Sequence, residues 1–166
     1  MLTILSFEEM VLRLGVAIVL GGIIGFEREM VGKRAGIRTS IMVSAGSAIF
    51  TMISFAVPFV AGVSEEAIKN TLPDRVLANI VVGVGFLGAG IIIKEGLRAR
   101  NLTTAATIWF VAAVGTLAGM GLTRFAVVSS VGLTFILYTL RKINLYKILH
   151  KGVVENDEED GGNGSS

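Results

Sequence analysis

The sequence has no cysteine, a single histidine, two prolines and one tryptophan. Without cysteine there is no disulfide, no zinc–thiolate site and no iron–sulfur cluster. The lone His150 lies beyond the last apolar run, which removes the basis for a histidine-centred metal or catalytic site. No Ser/His pair, paired-aspartate or metal-ligand spacing is present either, so no enzymatic activity is expected. Charge is scarce too: 17% of the residues are charged and 52% are hydrophobic, with a mean hydropathy of +0.73. A soluble domain carries roughly a quarter charged residues.

The charges fall in short islands between apolar runs long enough to cross a bilayer, for which about 20 residues suffice. Five such runs are predicted: Val11 to Phe26, Ile37 to Val63, Leu72 to Ile93, Thr103 to Gly121 and Phe125 to Leu140. The expected fold is therefore all-α, a polytopic transmembrane bundle of about five spans occupying residues 1–141. Residues 142–166, basic and then acidic and Gly/Ser-rich, read as a disordered cytoplasmic tail. Glu8 and Glu9 stand where a signal peptide would be basic, so the first run reads as a retained helix.

Lysine and arginine stay on the cytoplasmic side of a membrane protein. Lys33, Arg34 and Arg38 follow the first run, Lys94, Arg98 and Arg100 the third, and Arg141, Lys142, Lys147 and Lys151 the fifth. Five crossings place all three islands on one side, with the N-terminus outside and the C-terminus inside. The same islands account for the pI of 9.2 without nucleic acid. The expected partners are the lipid of the inner membrane and other membrane proteins or a second copy. The segments on either side of the first and third basic islands share a pattern that also fits a weak parallel repeat.

The 21 glycines are concentrated in the apolar runs. In lipid, small residues let helix backbones approach closely. Gly21 and Gly25 form one small-xxx-small pair, and Gly115 and Gly119 form another. Gly83, Gly85, Gly88 and Gly90 lie within eight residues and match GxGxxG, but no strand precedes them and no acidic residue follows at the dinucleotide-binding distance. Close helix crossing and a broken helix lining a cavity both remain open for this stretch.

Ionisable groups in or beside a span are costly and are functional candidates. Glu9 and Arg13 are spaced i,i+4 at the start of the first run. Glu27, Arg28 and Glu29 close it, placed to pair with the Arg38 region or to offer oxygens to a hard cation. Magnesium keeps most of its waters and takes one or two carboxylates, so Mg²⁺ is the one ion considered and no other cofactor is expected. Asp74, Arg75 and Asn79 form the corresponding cluster on the third run. Thr103 and Thr104 read as helix caps, with Thr107 one turn further on, and Trp109 is expected to pack into the bundle.

Several of these clusters recur together in one known family. Arg13-Leu, Gly25-Phe-Glu-Arg-Glu29, Ala35-Gly-Ile-Arg-Thr39 and Ser44-Ala-Gly46 resemble the first half of the MgtC/SapB family. Arg75-Val-Leu-Ala-Asn79, Gly83-Val-Gly-Phe-Leu-Gly-Ala-Gly90 and Leu102-Thr-Thr-Ala-Ala-Thr-Ile-Trp109 resemble its second half. The likeness runs from about Glu9 to Tyr138. Leu72 stands where the family commonly has Asp, Asn79 where it has Gln, and Asn101 where it has Gly. Many members add a cytoplasmic ACT-like domain, for which the residues after Leu140 are too few, so a short form is expected. The resemblance implies an integral membrane protein of magnesium homeostasis and stress adaptation. Two roles are implied: regulation of other membrane proteins through helix contacts, and transport of Mg²⁺ or a related ion.

Overall fold

The computed structural model describes residues 5–60, 62, 74–95 and 98–143, the side chains of Pro58, Phe59, Asp74 and Glu95 excepted. It contains five helices: α1 Phe7–Met30, α2 Ile37–Val60, α3 Asp74–Ile91, α4 Leu102–Gly119 and α5 Thr123–Ile143. A short antiparallel hairpin, β1 Ile93–Glu95 and β2 Arg98–Arg100, joins α3 to α4, with Ile93 opposite Arg100 and Glu95 opposite Arg98. The hairpin carries the basic island that follows the third run, Lys94, Arg98 and Arg100. The segment 63–73, His150 and the other residues beyond Ile143 lie outside the described residues.

Charged ends extend the helices beyond their apolar runs. Ser6 caps α1 by accepting from the Glu9 backbone N–H at 3.2 Å, and Glu8 and Glu9 sit at the positive end of the helix dipole. Gly32, at φ +67°, ends it: its N–H reaches the Glu29 carbonyl and the Lys33 N–H reaches the Arg28 carbonyl. That double bond is the Schellman closure, which requires a left-handed residue and so favours glycine. Gly121, at φ +83°, ends α4 with the same pair of bonds, Gly121 to Ala118 and Leu122 to Leu117.

Helices α1, α2 and α4 form the close-packed centre, and hydroxyls and glycines set their spacing. A Cβ on Gly21 would stand 2.8 Å from the Ser40 carbonyl oxygen and from Ser44 Cβ; one on Gly25 would stand 2.7 Å from Ile37 Cα. Across the other face of α2, a Cβ on Gly115 would run into the Ser44 backbone, and one on Gly119 into the Ala48 carbonyl at 2.6 Å. Ser44 is thus the point where three helices meet, and its hydroxyl donates to the Ala17 carbonyl at 2.8 Å. These contacts make α1 antiparallel to α2, and α4 parallel to α2. Leu20 and Ile24 pack with Val111, Val114 and Ala126 in the largest apolar cluster.

Helix α3 lies against α4 through Val84, Ile108 and Ala112, and Gly88 is in ordinary contact with Ala105. The α1–α2 and α3–α4 pairs are antiparallel with the same orientation, as the sequence pattern of a parallel repeat suggests. Contacts divide the chain into two compact units, Met1–Gly132 and Leu133–Ser166. In the first, α5 buries only Ala126 and Ser130, the latter donating to the Leu20 carbonyl at 3.4 Å. The described part of the second is the end of α5, where Thr139 donates to the Phe135 carbonyl at 2.8 Å and Arg141 and Lys142 occupy the last turn.

Four helices are long and apolar enough to cross a membrane, within 7–30, 37–57, 102–119 and 123–143; 75–91 is a shorter apolar helix. Large side chains such as Phe26, Met42, Phe86 and Phe135 are exposed around them. On a soluble protein so much apolar surface marks a binding face. Around a bundle in lipid it is the ordinary exterior. The chain is a multi-pass membrane protein.

Candidate functional site

The sequence-predicted charged residues of the first run separate into two places at opposite ends of α1. At its start Arg13 pairs with Glu9 and also donates from Nη1 to the Gly119 carbonyl at 2.8 Å. That carbonyl belongs to the last turn of α4, where the helix dipole is negative and a cation is favoured. Gly121 lies directly over the guanidinium: a Cβ there would be 2.8 Å from Nη2. Arg13 therefore fastens α1 to the end of α4 while Glu9 balances its charge.

At the other end of α1 the three charged neighbours diverge. Arg28 is buried and forms a fork with Glu27, Nε to Oε2 at 2.7 Å and Nη2 to Oε1 at 3.3 Å. Its Nη1 has no hydrogen-bond partner, an orphan donor inside the bundle. Glu29 turns instead to α2, where Oε2 accepts from the Ile37 backbone N–H at 2.9 Å. A carboxylate there satisfies a free N–H and meets the positive end of the α2 dipole. Arg38 is exposed and joins neither group, so the expected pairing across the hairpin is replaced by a helix cap.

On α3, Arg75 and Asn79 are exposed. Asp74 begins the helix and its side chain lies outside the described residues. Asn79 and Gly83 help to line a groove of 490 Å³ between α2 and α3, faced by Met42, Gly46 and Phe50 from α2. The glycine-rich stretch is one unbroken helix, which removes the broken-helix alternative. A Cβ on Gly83, Gly85 or Gly90 would meet nothing within 4 Å, unlike one on Gly21 or Gly25. Among the described residues nothing crosses closely at these three glycines.

Two further expectations are corrected. Thr103 and Thr104 do not cap α4; its cap is Asn101, in the left-handed region at φ +67°. The Asn101 amide donates to the Ile91 carbonyl at 3.1 Å and so closes the end of α3 as α4 begins. Thr104 is buried, Thr103 is exposed, and the buried Thr107 donates back to the Thr103 carbonyl at 2.8 Å. Trp109 is 52% exposed and does not pack into the bundle of this chain, because Ile108 and Val111 hold the inward positions of α4.

Residues not singled out from the sequence matter as much. Ser40, Ser44, Ser47, Thr51 and Ser54 form a buried stripe along α2. Their alternating spacing of four and three is the period of a helix seam and was visible in the sequence. Thr51 donates to Ser47 O and Ser54 to Thr51 O, both at 2.7 Å, so these hydroxyls are absorbed by their own helix. Among the described residues no three His, Cys, Asp or Glu side chains cluster as metal ligands. Glu9, Glu27 and Glu29 are each already engaged.

The sequence of residues 14–146 matches the model of the MgtC family. An uncharacterized protein of Synechocystis sp. is 39% identical over 142 residues, 86% of this chain and 56% of that protein. Protein MgtC of Brucella abortus is 49% identical over 115 residues, 69% of this chain and 44% of its own length. Protein MgtC of Salmonella typhimurium is 39% identical over 121 residues, 73% of this chain and 48% of its own. The chain thus spans about half the length of the curated relatives it matches. No solved structure matches it.

Proposed function

Because the chain belongs to the MgtC family, we propose that it works in the inner membrane as a regulator of other membrane proteins, in adaptation to low magnesium and stress. The observation that carries this reading is the division among its glycines. Gly21, Gly25, Gly115 and Gly119 are consumed by helix crossings inside the chain, whereas Gly85 and Gly90 open outward on α3 beside Val82 and Phe86, 70% and 81% exposed. In lipid, such a backbone-exposing face is what a second helix packs against. Carboxylate placement supports the same reading. Glu9 and Glu27 are paired with arginines of their own helix and Glu29 caps α2, so none of the three is left free for a hard cation.

In this reading all five helices cross. Helix α3, 18 residues long, spans about 27 Å at 1.5 Å per residue, against a hydrocarbon core of about 30 Å. The Lys33–Arg38 loop and the β1–β2 hairpin then face the cytosol.

The test pairs capture with flux. Gly85→Leu and Gly90→Leu are expected to leave the chain folded but to abolish a membrane partner that co-purifies with the wild type. Vesicles carrying the pure protein are expected to take up no more Mg²⁺ than empty ones. Uptake that Glu27→Gln abolishes would replace regulation with ion transport.

A further inference from the structure

The groove between α2 and α3 is distinct from the outward glycine face. Its walls are Val76, Ile80, Leu87, Met42 and Phe50, and its floor opens onto Gly46 and Gly83, where a Cβ would meet nothing within 4 Å. Among the described residues, Ser47 and Asn79 are the only lining residues with polar side chains. The size selects the occupant. A helix of about 10 Å diameter would fill 490 Å³ in about 6 Å, little more than one turn. An extended hydrocarbon chain lies along such a groove without forcing the walls apart.

Charge selects the rest of the molecule. Arg75 is exposed and makes no ion pair among the described residues, one turn before Asn79 on the same side of α3. A guanidinium one helical turn beyond the Asn79 end of an apolar groove matches a phosphate, which it can bind through two parallel N–H bonds. The Asn79 amide follows about 6 Å deeper at 1.5 Å per residue, where a phospholipid carries its ester carbonyls, and an amide N–H₂ is a donor to them. We propose that this groove holds one acyl chain of an anionic phospholipid, with its phosphate on Arg75 and an ester oxygen on Asn79. The assignment needs only that the chain lies in a bilayer, so it stands or falls separately from the regulatory reading.

Native mass spectrometry of the detergent-solubilised full chain tests it, with dioleoyl phosphatidylglycerol and dioleoylglycerol, which has the same acyl chains and esters but no phosphate, added in separate titrations. One phosphatidylglycerol is expected to be retained, with a preference over dioleoylglycerol of roughly tenfold or more, the worth of one hydrogen-bonded charge. Arg75→Gln is expected to reduce that preference about tenfold, and Gly83→Leu, which fills the groove, to remove the bound lipid of either kind. Equal retention of the two lipids by the wild type, or an unchanged preference in Arg75→Gln, would overturn the assignment without reliance on the bulkier variant. Displacement by soluble glycerol phosphate would also overturn it, since the acyl chain would then contribute nothing. A dimer that excludes the lipid would give the groove to a second copy instead.

Discussion

Arg13 and Glu29 show how single polar groups are used at the edges of this bundle. Arg13 reaches a carbonyl 106 residues away in sequence and lies under Gly121. Arg13→Ala removes a charge-assisted bond to a helix end and is expected to cost about 1–3 kcal/mol, seen as a lower Tm in detergent. Gly121→Ala meets two obstacles, a left-handed φ and the guanidinium itself, and is expected to cost about 1–3 kcal/mol. The double variant should cost less than the sum, since removing Arg13 clears the space for the new methyl. Additive losses would refute the contact. Glu29→Ala uncaps α2 and is expected to cost about 0.5–2 kcal/mol. None of these partners was legible in the sequence. Spacing places Glu9 beside Arg13, but nothing local says that the guanidinium also bonds Gly119, or that Glu29 prefers a backbone N–H to Arg38. The capping of α4 was hidden for the same reason: Thr103 and Thr104 look like caps, while the cap is Asn101, with its side chain turned to α3.

At the level of helices, the apolar runs located all five, because about 20 residues without charge have few other uses. Boundaries were set too narrowly for α1 and α5, and two residues too far at the C-terminal ends of α3 and α4. Phe7 to Met10 and Glu27 to Met30 are helical although charged, since caps and dipole complementarity favour charge at helix ends. The β1–β2 hairpin was missed because three-residue strands leave too little alternation to read. Glycine roles were half legible. Small-xxx-small spacing marks a face on which backbones can approach, but not whether the neighbour belongs to the same chain. The structure separates the two cases and gives a direct comparison. Gly115→Ala drives a methyl into the Ser44 backbone and is expected to destabilise by about 1–3 kcal/mol or more. Gly85→Ala enters open space on a helix and is expected to be neutral or to gain up to about 1 kcal/mol. Thermal unfolding of the two variants side by side checks this. Equal losses would show that α3 packs as tightly as the centre.

For the whole molecule, three helices wedged on glycine and serine make a centre that is costly to rearrange. Helix α3 offers an open face at its margin. The proposed regulation by contact rests on that division, and its central claim is that another protein's helix covers the outward side of α3. A photo-crosslinking residue at Phe86, compared with one at the similarly exposed Phe125 on α5, measures it directly in native membranes. The account predicts a discrete crosslinked protein from position 86, lost when Gly85→Leu or Gly90→Leu is added, and lipid adducts alone from position 125. Lipid adducts alone from both positions would contradict it.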